Sequence, residues 1–133
     1  MNAMIPVSPG ELVDKITILE IKKKNIKAAA KLKLIKTELS HLTKILNEMI
    51  SNSKRIKPAV LTEKKKLSTV NKKLWDIENR IRAKEAKQSF DKGFIELARL
   101  VYITNDKRSE IKNRINILFG SAIKEVKQYS KYK

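Results

Sequence analysis

Leu32, Ile35, Leu39, Leu42, Leu46 and Met49 recur at alternating spacings of three and four residues. That rhythm is the signature of one face of a helix, and it leaves little room for any other fold. Leu67, Val70, Leu74, Ile77 and Ile81 repeat it further along. A third seam begins with Phe94, Leu97 and Val101 and ends with Ile111, Ile115 and Leu118. Only three Gly and three Pro punctuate the 133 residues. Turn material is therefore scarce, and a few long helices are expected rather than many strands.

Local signals place the helix ends. Residues 1–7 read as a strand-like lead-in. Ser8-Pro9-Gly10-Glu11 reads as a helix start, with Ser8 as N-cap, Pro9 in the first turn and Glu11 reaching back in a capping box. Val7 is positioned to staple against Leu12. The first helix runs to about residue 26, with Leu12, Ile16, Leu19 and Ile26 on one face. Ile18 and Ile21 fall off that face, so the helix is expected to be covered on more than one side. Lys22, Lys23 and Lys24 suit the negative pole of its dipole.

The second helix is expected over 28–50, followed by a loop at 51–58. The third covers 59–87. A break at 89–93 offers Asp91 as cap for a fourth helix over 92–119, which stops at Gly120. Residues 121–129 read as a short fifth helix with Ile123 and Val126 inside. The expected architecture is all-α: one domain over 1–133, an antiparallel, coiled-coil-like bundle of about four long helices with a short C-terminal helix. Exposed apolar stripes on long helices lead us to expect a homodimer.

Composition removes several chemistries. Cysteine is absent and His41 is the only histidine, so disulfides, thiolate metal sites and an all-His zinc site within one chain are excluded. His41 sits among polar neighbours and reads as surface. The glycines are too far apart to form a phosphate loop, and no Ser-His-Asp set has a sensible geometry. No carboxylate pair has persuasive spacing for magnesium. We therefore expect no metal and no cofactor. No apolar run reaches the ~20 residues of a membrane span, and no signal peptide is visible, so a cytoplasmic protein is expected.

The formal charge is +17, from 31 Lys and Arg against 14 Asp and Glu. Six of the cations are arginines: Arg55, Arg80, Arg82, Arg99, Arg108 and Arg114. Arg is the better reader of bases and phosphates, yet Lys dominates. The abundance of Lys, Ile and Asn matches A/T-rich codon usage. Non-specific attraction to nucleic acid at low salt is expected; a dedicated nucleic-acid site is not.

The fourth-helix seam breaks halfway. Its register meets Thr104 and Arg108 where apolar residues belong. Polar groups at such positions cost stability unless paired or hydrated. Asn105 and Asp106 beside them are poor mid-helix residues that point to tertiary partners. Arg99, Tyr102 and Asp106 share one stripe; Asn105, Arg108 and Lys112 share another. On the third helix, Asn71, Trp75, Glu78 and Arg82 form a stripe beside the seam. Each stripe has a plain reading as well. Trp75 would pack at the core edge, Glu78 and Arg82 would pair on the surface, and Asp106 would bond Arg99 or a lysine of the first helix. On the first helix, Glu11, Lys15 and Lys22 lie along one edge and Asp14 and Thr17 along another, where surface charge near the helix start is the plain reading. The site reading gathers Lys15, Asn71, Trp75, Glu78, Arg82, Arg99, Tyr102, Asn105, Asp106 and Arg108 into one polar-aromatic groove.

Two resemblances bear on this. Val7-Ser8-Pro9-Gly10-Glu11-Leu12, Asp14-Lys15-Ile16-Thr17-Ile18-Leu19-Glu20, Leu74-Trp75-Asp76-Ile77-Glu78, Phe94-Ile95-Glu96-Leu97-Ala98-Arg99 and Thr104-Asn105-Asp106-Lys107-Arg108 together resemble the signatures of a bacterial family of small helical proteins of unknown function. The resemblance covers most of the chain and is weakest in the Lys-rich second helix. It implies that the polar residues inside these blocks belong to a family pattern, and it implies a genomic setting near envelope polysaccharide and glycosyltransferase genes. A looser likeness, in architecture alone, is to the all-helical chorismate mutases. There Arg82, Arg99, Arg108 and Lys15 would line a site for a dianion. The opening Arg and the C-terminal Gln motif of that family are missing here.

Three functions compete at this point. The first is a binding or regulatory module for an anionic small molecule or a partner protein. The second is an enzyme acting on an anionic metabolite by positioning and electrostatics, with Asp106 or Glu78 as acid–base group. The third is nucleic-acid binding by the Lys surface.

Overall fold

The computed structural model describes all 133 residues and contains no strand. Four helices follow in order: α1 (Pro9–Asn25), α2 (Ala29–Ser51), α3 (Lys57–Ala86) and α4 (Lys92–Leu118), with a 3-10 turn at Lys54–Ile56. The expected all-α bundle is what forms, and its ends fall close to the local signals. No helix is long and apolar enough to cross a membrane.

The caps are as informative as the helices. Ser8 Oγ accepts from the Glu11 N–H at 3.1 Å, which satisfies one of the unpaired amides of the first turn. The return half of the expected capping box is replaced, because the Glu11 carboxylate turns to Lys112 at 2.8 Å. Asp91 caps α4 by accepting from the Phe94 N–H at 2.9 Å, and it also receives Lys84 from the end of α3 at 2.8 Å. The Lys84 ammonium, together with the Phe94 amide, lowers Asp91 to about 2. This cap therefore stabilises the α3–α4 turn above the ordinary carboxylate range and fails as pH falls through about 2.

α1 is the hub. It packs against α2, α3 and α4, while α3 and α4 form the longest antiparallel pair. Leu12, Val13, Ile16, Leu46, Ile50, Val60, Leu67, Ile111 and Ile115 make one core cluster. Burial of each such side chain contributes roughly 1.5–3 kcal/mol. Ile21, off the main α1 face, is buried as well, as a helix covered on several sides requires. Gly10 lets α1 come close to α4. A Cβ there would collide with the Lys112 carbonyl oxygen, and the Gly10 N–H donates to Asn116 Oδ1 at 2.7 Å.

The fifth helix does not form. Residues 121–133 carry no regular structure. Gly120, at φ 62°, turns the chain out of α4, a conformation that favours glycine. Ile123 and Val126 are 45% and 90% exposed. Two apolar residues with nothing to pack on cannot offset the cost of nucleating so short a helix.

The seam break resolves into two different cases. Arg108 finds a buried partner. Thr104 is 1% exposed and its hydroxyl has none. An unpaired buried hydroxyl costs about 1–3 kcal/mol, and Val has nearly the same shape. Thr104→Val is therefore expected to stabilise the fold by about 1 kcal/mol, read as a higher urea midpoint at unchanged m-value.

Candidate functional site

Asp14 lies on α1 between core residues and is fully buried. An ionised carboxylate in that position needs paired charge and several donors. It has both. Its Oδ1 accepts from Asn71 Nδ2 of α3 at 2.9 Å and from Arg108 Nε of α4 at 2.8 Å. Its Oδ2 accepts from Arg108 Nη2 at 2.5 Å. The Arg–carboxylate contact is thus a two-pronged fork, the geometry that guanidinium favours. Asn71 Nδ2 also donates to Thr17 Oγ1 at 2.9 Å, and that hydroxyl donates to the Asp14 carbonyl at 2.8 Å. Arg108 Nη1 reaches Asn105 Oδ1 at 3.4 Å. The hydrogen bond and charge of Asp14 raise the Arg108 pKa despite burial.

One turn further along α4, Lys112 is nearly buried and sits between Glu11 at 2.8 Å and Glu125 at 3.3 Å. Burial pushes its ammonium down. The bond to Glu11 and the charges of Asp14, Glu11 and Glu125 outweigh that and raise it. Two residues before Arg108, and so on a different face of α4, Asp106 accepts from the Tyr132 hydroxyl at 2.6 Å, and Tyr132 packs edge-on against Tyr102 at 5.1 Å.

The structure divides the residues singled out in the sequence. Asn71, Asn105 and Arg108 meet at Asp14. Tyr102 and Asp106 lie on another face of α4 and meet the tail at Tyr132. Asp106 takes Tyr132 as its partner, instead of Arg99 or a lysine of α1. The other five lie outside the network. Lys15 is exposed, Arg99 is exposed, and Trp75 is half-buried on α3. Glu78 and Arg82 form a surface pair at 3.4 Å, with side chains 44% and 78% exposed. A single groove holding all ten residues does not form, because the stripes of α3 and α4 diverge past Asn71 and Asn105.

Sequence reasoning missed the centre. Asp14, read as surface charge at a helix start, is the carboxylate on which three helices converge. Thr17, Lys112 and Glu125 extend it, although their local sequence gives no sign of a site. A signal existed: Arg108 stands at a seam position and carries only donors, so a buried acceptor, best a carboxylate, was needed opposite it. Two open depressions flank the network. One, of about 390 Å³, lies between α4 and the tail and is lined by Asp106, Lys107, Glu110, Tyr129 and Tyr132 among others. The other, of about 380 Å³, lies between α1 and α3 and reaches Thr17, Lys24, Ser68 and Lys72. No group of three or more His, Cys, Asp or Glu is placed to hold a metal ion.

Both Asp14 oxygens are occupied by donors, which leaves no free base at the centre. Lys112 is held charged, so it is no nucleophile. Around it stand two cations, Arg108 and Lys112, and the Asn105 amide.

The Asp106–Tyr132 contact has a direct readout. The hydrogen bond to Asp106 pushes the Tyr132 phenol up to about 12. A raised folded-state value means that docking of Tyr132 contributes fully below the ordinary tyrosine value of 10.0 and is lost as pH climbs through about 12. Alkaline absorbance titration, taken as the difference between the wild-type chain and Tyr132→Phe, should show this late ionisation, and Asp106→Asn should bring it back toward 10.0.

Comparison with known proteins adds no relative: no family model, no curated protein and no solved structure matches this chain.

Proposed function

We propose that this chain is a small helical binding module that recognises anionic ligands at the α1–α4 edge, through Arg108 and Lys112 with Asn105 beside Arg108. One observation carries the reading. Lys112 shares its charge between Glu11, which belongs to the packed bundle, and Glu125, which belongs to an exposed segment with no structure of its own. A carboxylate from outside the bundle already sits on this cation, and a ligand carboxylate or phosphate has the same chemistry. Arg108 supports it, with its side chain 28% exposed at the edge of the network.

The blocks resembling the uncharacterised bacterial family contain Glu11, Asp14, Thr17, Asn105 and Arg108, as a shared binding role would require. A cytoplasmic setting and a link to envelope polysaccharide metabolism fit the same proposal. The enzymatic alternative has less behind it. Of its two acid–base groups, Glu78 is ion-paired on the surface and Asp106 is bonded to Tyr132. Nucleic-acid binding draws only on the diffuse Lys surface, to which this edge adds nothing.

Citrate serves as the probe. Titrated into the full-length chain at 150 mM salt, it is expected to shift the amide signals of Asn105, Arg108 and Lys112 ahead of all others. It should also raise the melting temperature, since a ligand that binds only the native state at about 100 times its Kd adds about 2.7 kcal/mol. Shifts spread evenly over the surface lysines, vanishing at higher salt, would refute the site.

A further inference from the structure

α1 covers only part of the α3–α4 pair. It enters beside Asn116, meets Arg108 through Asp14, and ends with Lys24 and Asn25 near Ser68, Thr69 and Lys72. Past Asn71, α3 runs on beside α4 for about 22 Å to its end at Ala86. The main core cluster stops at Leu67 and Ile111, and Leu74, Ile77 and Leu97 are buried outside it. The faces that meet α1 continue into this overhang. On α3 the stripe through Asn71 goes on to Trp75, Glu78 and Arg82. On α4 the stripe through Lys112, Arg108 and Asn105 goes on to Val101, Ala98 and Phe94 at the same three-four spacing. Trp75, Val101, Ala98 and Phe94 are half-buried, and α1 does not reach them.

The composition changes here. Residues 74–101 hold the only Trp, two of the three Phe and three of the six Arg, but only three of the 25 Lys. Aromatic and Arg side chains are enriched at protein interfaces, and Lys is depleted there. Six cations and five carboxylates stand in this stretch, a net +1, while the other 105 residues carry the remaining +16. Two copies of so basic a chain repel each other through the rest of their surface. In the overhang the signs are mixed. Glu78 and Arg82 also lie four apart on one stripe with opposite charges, so the stripe complements itself when two copies run antiparallel. A partner of one charge sign would gain little from so balanced a strip.

We propose that the α3–α4 overhang is the interface of a homodimer. The open faces of two hairpins pack antiparallel about a two-fold axis as a four-helix bundle. Trp75, Ala98 and Phe94 are enclosed, and Glu78 of each copy lies opposite Arg82 of the other. Within one chain the Glu78–Arg82 contact is long, at 3.4 Å, and both side chains are exposed, so both can reach across. Two helices about 10 Å wide and about 22 Å long give a footprint of about 440 Å² per copy. The total of about 900 Å² is at the low end for a specific interface, so the dimer is weak and reversible. It uses neither Arg108 nor Lys112 and stands or falls apart from the anion site.

Sedimentation velocity of the full-length chain from about 1 to about 200 µM tests this, because a dimer with a micromolar Kd dissociates across that range. The expected result is a shift from monomer to dimer, with the emission of Trp75, the only Trp, moving to shorter wavelength in step. Glu78→Arg and Arg82→Glu each put like charges across the two-fold axis and should weaken association at least about tenfold. Mixed in equal amounts, the two variants should dimerise to within about threefold of the wild type, since each supplies the charge that the other lacks. Ala98→Arg should be monomeric throughout while keeping its helical circular dichroism. A chain that stays monomeric, or a dimer indifferent to all three substitutions, would overturn the interface. Single variants that weaken the dimer without recovery on mixing would overturn the antiparallel pairing. Citrate shifts at Arg108 and Lys112 in a chain that stays monomeric would leave the anion site standing and remove the dimer.

Discussion

The Asp14–Arg108 pair is the contact on which the bundle's geometry depends. A carboxylate with no exposure must be matched by donors of fixed direction, and the guanidinium fork supplies two. Apolar seams are tolerant of sliding and rotation, since one methyl-lined groove resembles the next. A two-pronged ion pair is not. It allows one axial offset and one rotation of α4 against α1, and Asn71 extends the same constraint to α3. Gly10 and Asn116 then close the neighbouring turn, where Gly10 leaves room for the Lys112 carbonyl. Hydrophobic burial supplies the favourable free energy of folding, and the pair selects which packing is used.

That division of labour explains what the sequence made legible. Helix existence and approximate ends followed from three-four spacing, from Ser8 and Asp91 as caps and from Gly120 as a stop, all local properties. The break in the α4 seam marked Thr104 and Arg108 as anomalous, and the structure gives the two opposite outcomes: one orphaned hydroxyl and one half of a buried pair. Asp14 was hidden because its local context, three residues past an N-terminal Glu, is also what a solvent-exposed first turn looks like. Only rotation about the α1 axis distinguishes the two cases, and no local signal fixes rotation. Trp75, Glu78 and Arg82 misled for the same reason, since their stripe borders the seam yet turns outward beyond Asn71.

The tail was misread through amphipathic spacing. Ile123 and Val126 have the interval of a helix face, but a face needs a partner, and none lies beside them. Its role is electrostatic and positional. Glu125 completes the charge around Lys112, and Tyr132 satisfies Asp106.

A double-mutant cycle on Asp14→Asn and Arg108→Gln, measured by chemical denaturation, bears most directly on the claim that one buried pair sets the architecture. Breaking a buried pair from either side costs about 3–5 kcal/mol, because it strands the other charge. The account predicts that each single change is severe and that the double change costs little more than either alone, leaving a coupling energy above about 2 kcal/mol. Two single changes that simply add, to within about 0.5 kcal/mol, would mean that Asp14 and Arg108 do not act as a unit.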